Sequence, residues 1–81
     1  MEYTYIPSKT CSREIKFEIE NNKIKNVRFL GGCNGNLKGI AALVENMDCK
    51  EVIDKLSGIT CGGKSTSCPD QLAKAINEII T

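Results

Sequence analysis

The sequence predicts an α+β fold, a small antiparallel three-stranded sheet followed by three helices packed on one face (β-β-β-α-α-α). Three observations carry that prediction. Residues 14–20 alternate with a period of two, Asn21-Asn22 marks a reversal, and beyond Gly31 the apolar spacing changes from two to nearly four. Strands gathered at the start of a chain and helices at its end give a sheet with helices segregated to one side.

Taken in order, Tyr3, Tyr5 and Ile6 form a short strand closed by Pro7. In the next segment Ile15, Phe17 and Ile19 share one face while Glu14, Lys16, Glu18 and Glu20 share the other, the pattern of a half-buried antiparallel strand. Asn21-Asn22 tolerates positive φ and leads by a hairpin turn into a strand from Lys23 to Leu30. Ile24 and the run Val27 to Phe29 differ in parity, which predicts a bulge or a late start to the pairing. Leu37, Ile40, Ala41, Val44 and Met47 then make one helical stripe. A shorter helix carries Val52, Ile53 and Leu56 and stops at Gly58. After a polar, glycine-rich loop from Ile59 to Ser67, Pro69 suits the first turn of a last helix with Leu72, Ala73, Ile76, Ile79 and Ile80 on its buried side.

With 81 residues and 41% hydrophobic content, residues 1–81 form a single domain with a thin core. A core of that size leaves room for a metal or a partner subunit as reinforcement, so a homodimer stays open. Eleven basic and ten acidic residues are interspersed, with a net charge of +1, which excludes an electrostatic footprint for nucleic acid or an anionic membrane. Met1-Glu2-Tyr3-Thr4-Tyr5 has neither a basic nor an apolar leader region, and no apolar run spans a bilayer, so a soluble, cytoplasmic protein is expected. An odd count of five cysteines suits a reducing compartment.

Those five cysteines, with no histidine, carry the chemistry. Cys11 precedes the second strand, Cys33 follows the third and opens a helix, Cys61 lies in the long loop, and Cys68 is the cap or first residue of the last helix. Cys49, between Asp48 and Lys50, is expected to flank a helix in a solvated position. A site built from Cys11, Cys33, Cys61 and Cys68 is all-sulfur, which points to zinc or an iron-sulfur cluster and away from magnesium, calcium or copper(II). The hairpin brings the start of the second strand and the end of the third together, so Cys11 and Cys33 are expected to be close. The unpaired N–H groups of a helix start favour thiolate there. Gly32, Gly35, Gly62 and Gly63 allow close approach to a bulky centre and offer amide donors to its sulfurs.

Other readings stay open. There is no C-x-x-C pair, and buried cysteines are often inert core residues. Cys61 and Cys68 could instead form a disulfide or serve as a redox dithiol with a larger reductase, and a metal-free interaction module is the third reading. Gly58 to Ser65 matches the phosphate-loop pattern G-x-x-x-x-G-K-[ST], but a helix precedes it where a buried strand is required. Without histidine there is no Cys-His or Ser-His pair, so the chain is not expected to be an enzyme on its own.

The run Thr66-Ser67-Cys68-Pro69-Asp70 with Gln71-Leu72-Ala73 resembles the signature of the TSCPD domain family. Gly32-Cys33-Asn34-Gly35-Asn36-Leu37 and Gly58-Ile59-Thr60-Cys61 extend the likeness over essentially the whole chain. That resemblance implies a domain found alone in small bacterial proteins and at the C-terminus of some ribonucleotide reductases, notably cobalamin-dependent ones. It also implies a metal centre, such as an iron-sulfur cluster, on Cys11, Cys33, Cys61 and Cys68. The chain is far too short for a reductase's catalytic barrel, so the resemblance implies an accessory module of DNA biosynthesis at most. In architecture the chain also looks like the U-type iron-sulfur cluster assembly scaffolds, whose three cysteines match Cys11, Cys33 and Cys68. It departs from them at Arg13, where the scaffold has an aspartate, and in having Cys61, which favours a site closed by a fourth thiolate over transient cluster assembly.

Overall fold

The computed structural model describes residues 2–7, 12–31, 34–60, 63 and 65–80. Its elements are β1 (Glu2–Tyr5), β2 (Ser12–Glu20), β3 (Lys23–Gly31), α1 (Asn34–Val44), α2 (Cys49–Leu56) and α3 (Cys68–Ile80), the α+β succession the sequence predicts. The sheet is antiparallel throughout, in the order β1-β2-β3. Asn21 and Asn22 take φ values of 53° and 64° between the paired Glu20 and Lys23. Two consecutive left-handed residues make a turn whose twist matches that of the strands it joins.

The alternation of β2 puts Ile15 and Phe17 at 0% exposure on the helix-covered face. The Phe17 ring lies 5.7 Å from that of Tyr3, its partner on β1. Burial of a side chain this size contributes about 2 kcal/mol. On β3 the register slips between the Lys16↔Arg28 and Glu18↔Lys25 pairs, so Asn26 and Val27 together oppose Phe17. This is the bulge that the parity change predicts. It lets Ile24 and Val27, three residues apart, both face the core. Asn26 sits at φ 52°, its N–H donates to Glu45 Oε1 at 2.9 Å, and its Nδ2 donates to Glu18 Oε2 at 2.8 Å.

As an edge strand, β3 would leave a row of backbone groups unpaired. The link between α1 and α2 covers its first residues: Asn46 N–H donates to Ile24 O (2.8 Å), Ile24 N–H to Met47 O (2.9 Å) and Cys49 N–H to Asn22 O (2.8 Å). Above the sheet α1 packs on β3 and α2 packs on α3. Val44, Val52, Leu72, Ala75 and Ile76 complete the core around Ile15, Phe17 and Ile24.

Three sequence expectations need correction. Met47 lies beyond α1, because Asn46 at φ 64° ends the helical path and turns the chain onto β3, although Met47 still packs against the core. Ile79 is 37% exposed in the last turn of α3, whereas Ala75 joins the buried stripe. Cys49 is not solvated but 1% exposed within the core. Its bond to Asn22 draws the start of α2 onto the hairpin, while Asp48, which caps α2 by accepting from Lys50 N at 2.9 Å, and Lys50 face water. Residues successive on a helix point about 100° apart, so charged neighbours do not determine where the cysteine points.

Burial pushes the Cys49 thiol up from its ordinary value, and the Asp48 carboxylate adds to the effect. Since the thiolate is the reactive form, Cys49 is expected to resist alkylation in the native protein and to react fully in denaturant, as peptide mapping by mass spectrometry would read. Equal labelling in both conditions would contradict its place in the core. Glu45→Ala, which hands the exposed bulge N–H over to water, is expected to cost about 0.5 kcal/mol in urea unfolding.

Candidate functional site

The start of α3 is built by side chains that the sequence puts in a polar loop. Ser67 caps the helix: its carbonyl accepts from Gln71 N at 2.9 Å and its Oγ accepts from Asp70 N at 3.2 Å. Ser67 Oγ also donates to Ile59 O at 2.7 Å. Cys68 follows as the first helical residue and is half-buried. Pro69, in the first turn, is compatible with backbone N–H groups that have no partner within the helix.

Asp70 is the hub. Its side chain is buried, with Oδ1 accepting from Gly58 N at 2.7 Å and Oδ2 accepting from the Thr66 hydroxyl. Gln71 Nε2 donates to Thr66 Oγ1 at 2.9 Å, and Lys74 Nζ stands 3.5 Å from Asp70 Oδ2. Gly58 ends α2 at φ 83°. A Cβ there would meet nothing within 4 Å, so backbone conformation and not crowding calls for glycine. Burial by itself would push the Asp70 carboxyl up, but the bonds from Thr66 and Gly58 and the Lys74 charge outweigh it and hold the group below the usual carboxylate range. At the other end of α3, burial and the nearby Glu78 carboxylate push the Tyr5 phenol above its ordinary value.

Of the predicted ligands, Cys68 is described, at the helix start where the sequence places it. Cys11, Cys33 and Cys61 lie outside the described residues, as do Gly32 and Gly62. Gly35, in the first turn of α1, and Gly63 are exposed, and a Cβ at either would meet nothing within 4 Å. Among the described residues no group of three or more acidic or cysteine side chains converges to hold a metal. The neighbours of the cysteines are nevertheless joined in pairs. Ser12, which follows Cys11, pairs with Gly31, two residues before Cys33. Ile59, two residues before Cys61, is bonded to Ser67, which precedes Cys68. Thiols are the donor set of zinc and iron-sulfur centres, and nothing in these described flanks disfavours one.

Sequence reasoning missed Thr66, Ser67, Asp70 and Gln71 as a buried group, at 3%, 5%, 4% and 3% exposure. One signal was available: Ser67-x-x-Asp70 ahead of an apolar stripe has the spacing of a capping box. The phosphate-loop reading fails on position, since α2 precedes Gly58 and the Gly58 N–H is committed to Asp70. No helix among the described residues is long and apolar enough to cross a membrane.

The TSCPD domain model matches residues 1–80, and the chain belongs to that family. Thr66 to Asp70, the residues behind the buried group, spell its name. No curated protein and no solved structure matches the chain.

Asp70→Asn is expected to cost about 2 kcal/mol at neutral pH, since Thr66 and Gly58 would share one acceptor oxygen where they now have two. A carboxyl held low in the folded state contributes stability above its unfolded value, about 3.9, and loses it as pH falls through the folded value. The stability gap between wild type and Asp70→Asn is therefore expected to narrow below about pH 4 in urea titrations. A gap independent of pH would contradict the role given to the charge.

Proposed function

We propose that this TSCPD-domain protein is a metal-binding module in which Cys11, Cys33, Cys61 and Cys68 supply four thiolates to one zinc ion or iron-sulfur cluster. The observation that carries the reading is the two-by-two joining of the cysteines' neighbours, Ser12 with Gly31 and Ile59 with Ser67. Each link brings together two stretches of chain that carry a candidate ligand. Placement of Cys68 in the first turn of α3, directly after the Ser67 cap that is bonded to Ile59, supports the reading further. Gly32 and Gly35 flank Cys33, Gly62 and Gly63 follow Cys61, and these are the positions proposed to offer amide donors to a cluster.

The bound group would supply either a structural cross-link or a redox centre, and the chain would hold it without being an enzyme in its own right. The family setting extends the proposal to a cytoplasmic accessory of a larger redox enzyme such as a ribonucleotide reductase. The all-thiol donor set, with no histidine in the sequence to complete a Cys-His or Ser-His pair, favours holding a metal over catalysis.

Elemental analysis of anaerobically purified protein tests this directly. The expected result is zinc near one per chain, or iron with matching acid-labile sulfide. Cys68→Ser is expected to lose most of that metal, and Cys49→Ala, which alters only the core thiol, to keep it. Absence of both metals at near-stoichiometric levels, or full retention by Cys68→Ser, would overturn the proposal.

A further inference from the structure

Resting on the four-thiolate reading above, we infer that Asp70 is a positioning residue for the metal site, holding both ends of the Cys61-bearing loop on the first turn of α3 beside Cys68. Asp70 is not itself available as a ligand, because both of its oxygens are engaged, Oδ1 by Gly58 N–H and Oδ2 by the Thr66 hydroxyl. Those two donors come from opposite ends of the segment that contains Cys61. Gly58 lies three residues before that cysteine and Thr66 five residues after it. Ser67 adds a second tie by donating to Ile59 O, and Gln71 holds the Thr66 oxygen in turn. Four residues within one helical turn and its lead-in, Thr66, Ser67, Asp70 and Gln71, thus hold the two ends together.

The placement is costly, which is why it points to a role. A carboxylate at 4% exposure loses most of its hydration and must recover it from protein donors. Ending α2 and starting α3 needs only the Gly58 turn and the Ser67 cap, both of which lie at the surface in many helix junctions. What the buried carboxylate adds is a tie between Gly58 and Thr66, on either side of Cys61, that needs no metal. Part of the entropy of bringing those two ends together is then not charged to ligand convergence. Groups behind the ligands act on metal affinity in the same way, and their loss weakens binding by about 10–100-fold.

The test is a Co2+ titration of metal-free protein under anaerobic conditions, read by sulfur-to-cobalt charge-transfer absorption and by competition with a chelator. Asp70→Asn and Thr66→Val are expected to reach the wild-type spectrum at saturation, because the ligands are unchanged, but with affinity lower by about 10–100-fold. Thr66→Ser, which keeps the hydroxyl, is expected to restore wild-type affinity. Val52→Ala, a cavity in α2 away from the network, serves as the control for general destabilisation and is expected to leave affinity within about twofold, each variant being verified as folded by circular dichroism. If Asp70→Asn does not fold, the Thr66→Val and Thr66→Ser pair carries the test. Wild-type affinity in both Asp70→Asn and Thr66→Val, or an equal loss in Val52→Ala, would overturn the positioning role while leaving the thiolate site intact. A wild-type protein that gives no thiolate band would overturn the ligand reading and this inference with it.

Discussion

A carboxylate buried at the start of the last helix is the constraint on which the helical half of the domain depends. Asp70 can be buried charged only because Gly58, Thr66 and Lys74 supply donors and a counter-charge. Each of those groups is therefore held where it is by the same requirement. Gly58 must end α2 in the left-handed region, Thr66 must turn its hydroxyl inward, and Ser67 is left to cap α3 and bind Ile59. The described ends of a loop that composition alone describes as polar and glycine-rich, Gly58 and Ile59 on one side and Thr66 and Ser67 on the other, are thereby tied together.

The other half of the fold is governed by the single-residue slip in β3. Without the extra residue at Asn26, Ile24 and Val27 would point to opposite faces, and one of them would meet water. The slip exposes a backbone N–H that Glu45 accepts, and the chain after α1 then pairs with the open edge of β3. That edge pairing delivers Cys49 to the core and sets the origin of α2. Strand register, helix placement and the position of the α2 end at Gly58 form one continuous sequence of causes, which leads to the Asp70 network.

Much of this was legible in the residues. The alternation through Ile15, Phe17 and Ile19 and the Asn21-Asn22 turn are local signals, and the parity mismatch between Ile24 and Val27 announced the bulge. Cys68 at the start of α3 followed from the neighbouring Pro69 and the stripe beyond it. Cys49 was misread because its charged neighbours describe their own directions and not its own. The burial of Thr66, Ser67, Asp70 and Gln71 was illegible for a different reason: it depends on Gly58, twelve residues before Asp70, and no local pattern encodes a partner at that separation. The capping-box spacing is the one trace it leaves in sequence. For Cys11, Cys33 and Cys61, the structure adds the pairing of their neighbours, which sequence anticipated for the hairpin and did not anticipate for Ile59 and Ser67.

Two described links, one through the sheet and one through the start of α3, lead to a single centre only if the four sulfurs meet. X-ray absorption at the zinc or iron edge of the anaerobically purified protein measures that meeting. For zinc, a first shell of four sulfurs at about 2.3 Å is expected, and for iron a sulfur-only shell with a second metal scatterer behind it. A first shell containing nitrogen or oxygen, or one with fewer than four sulfurs, would contradict the four-thiolate account.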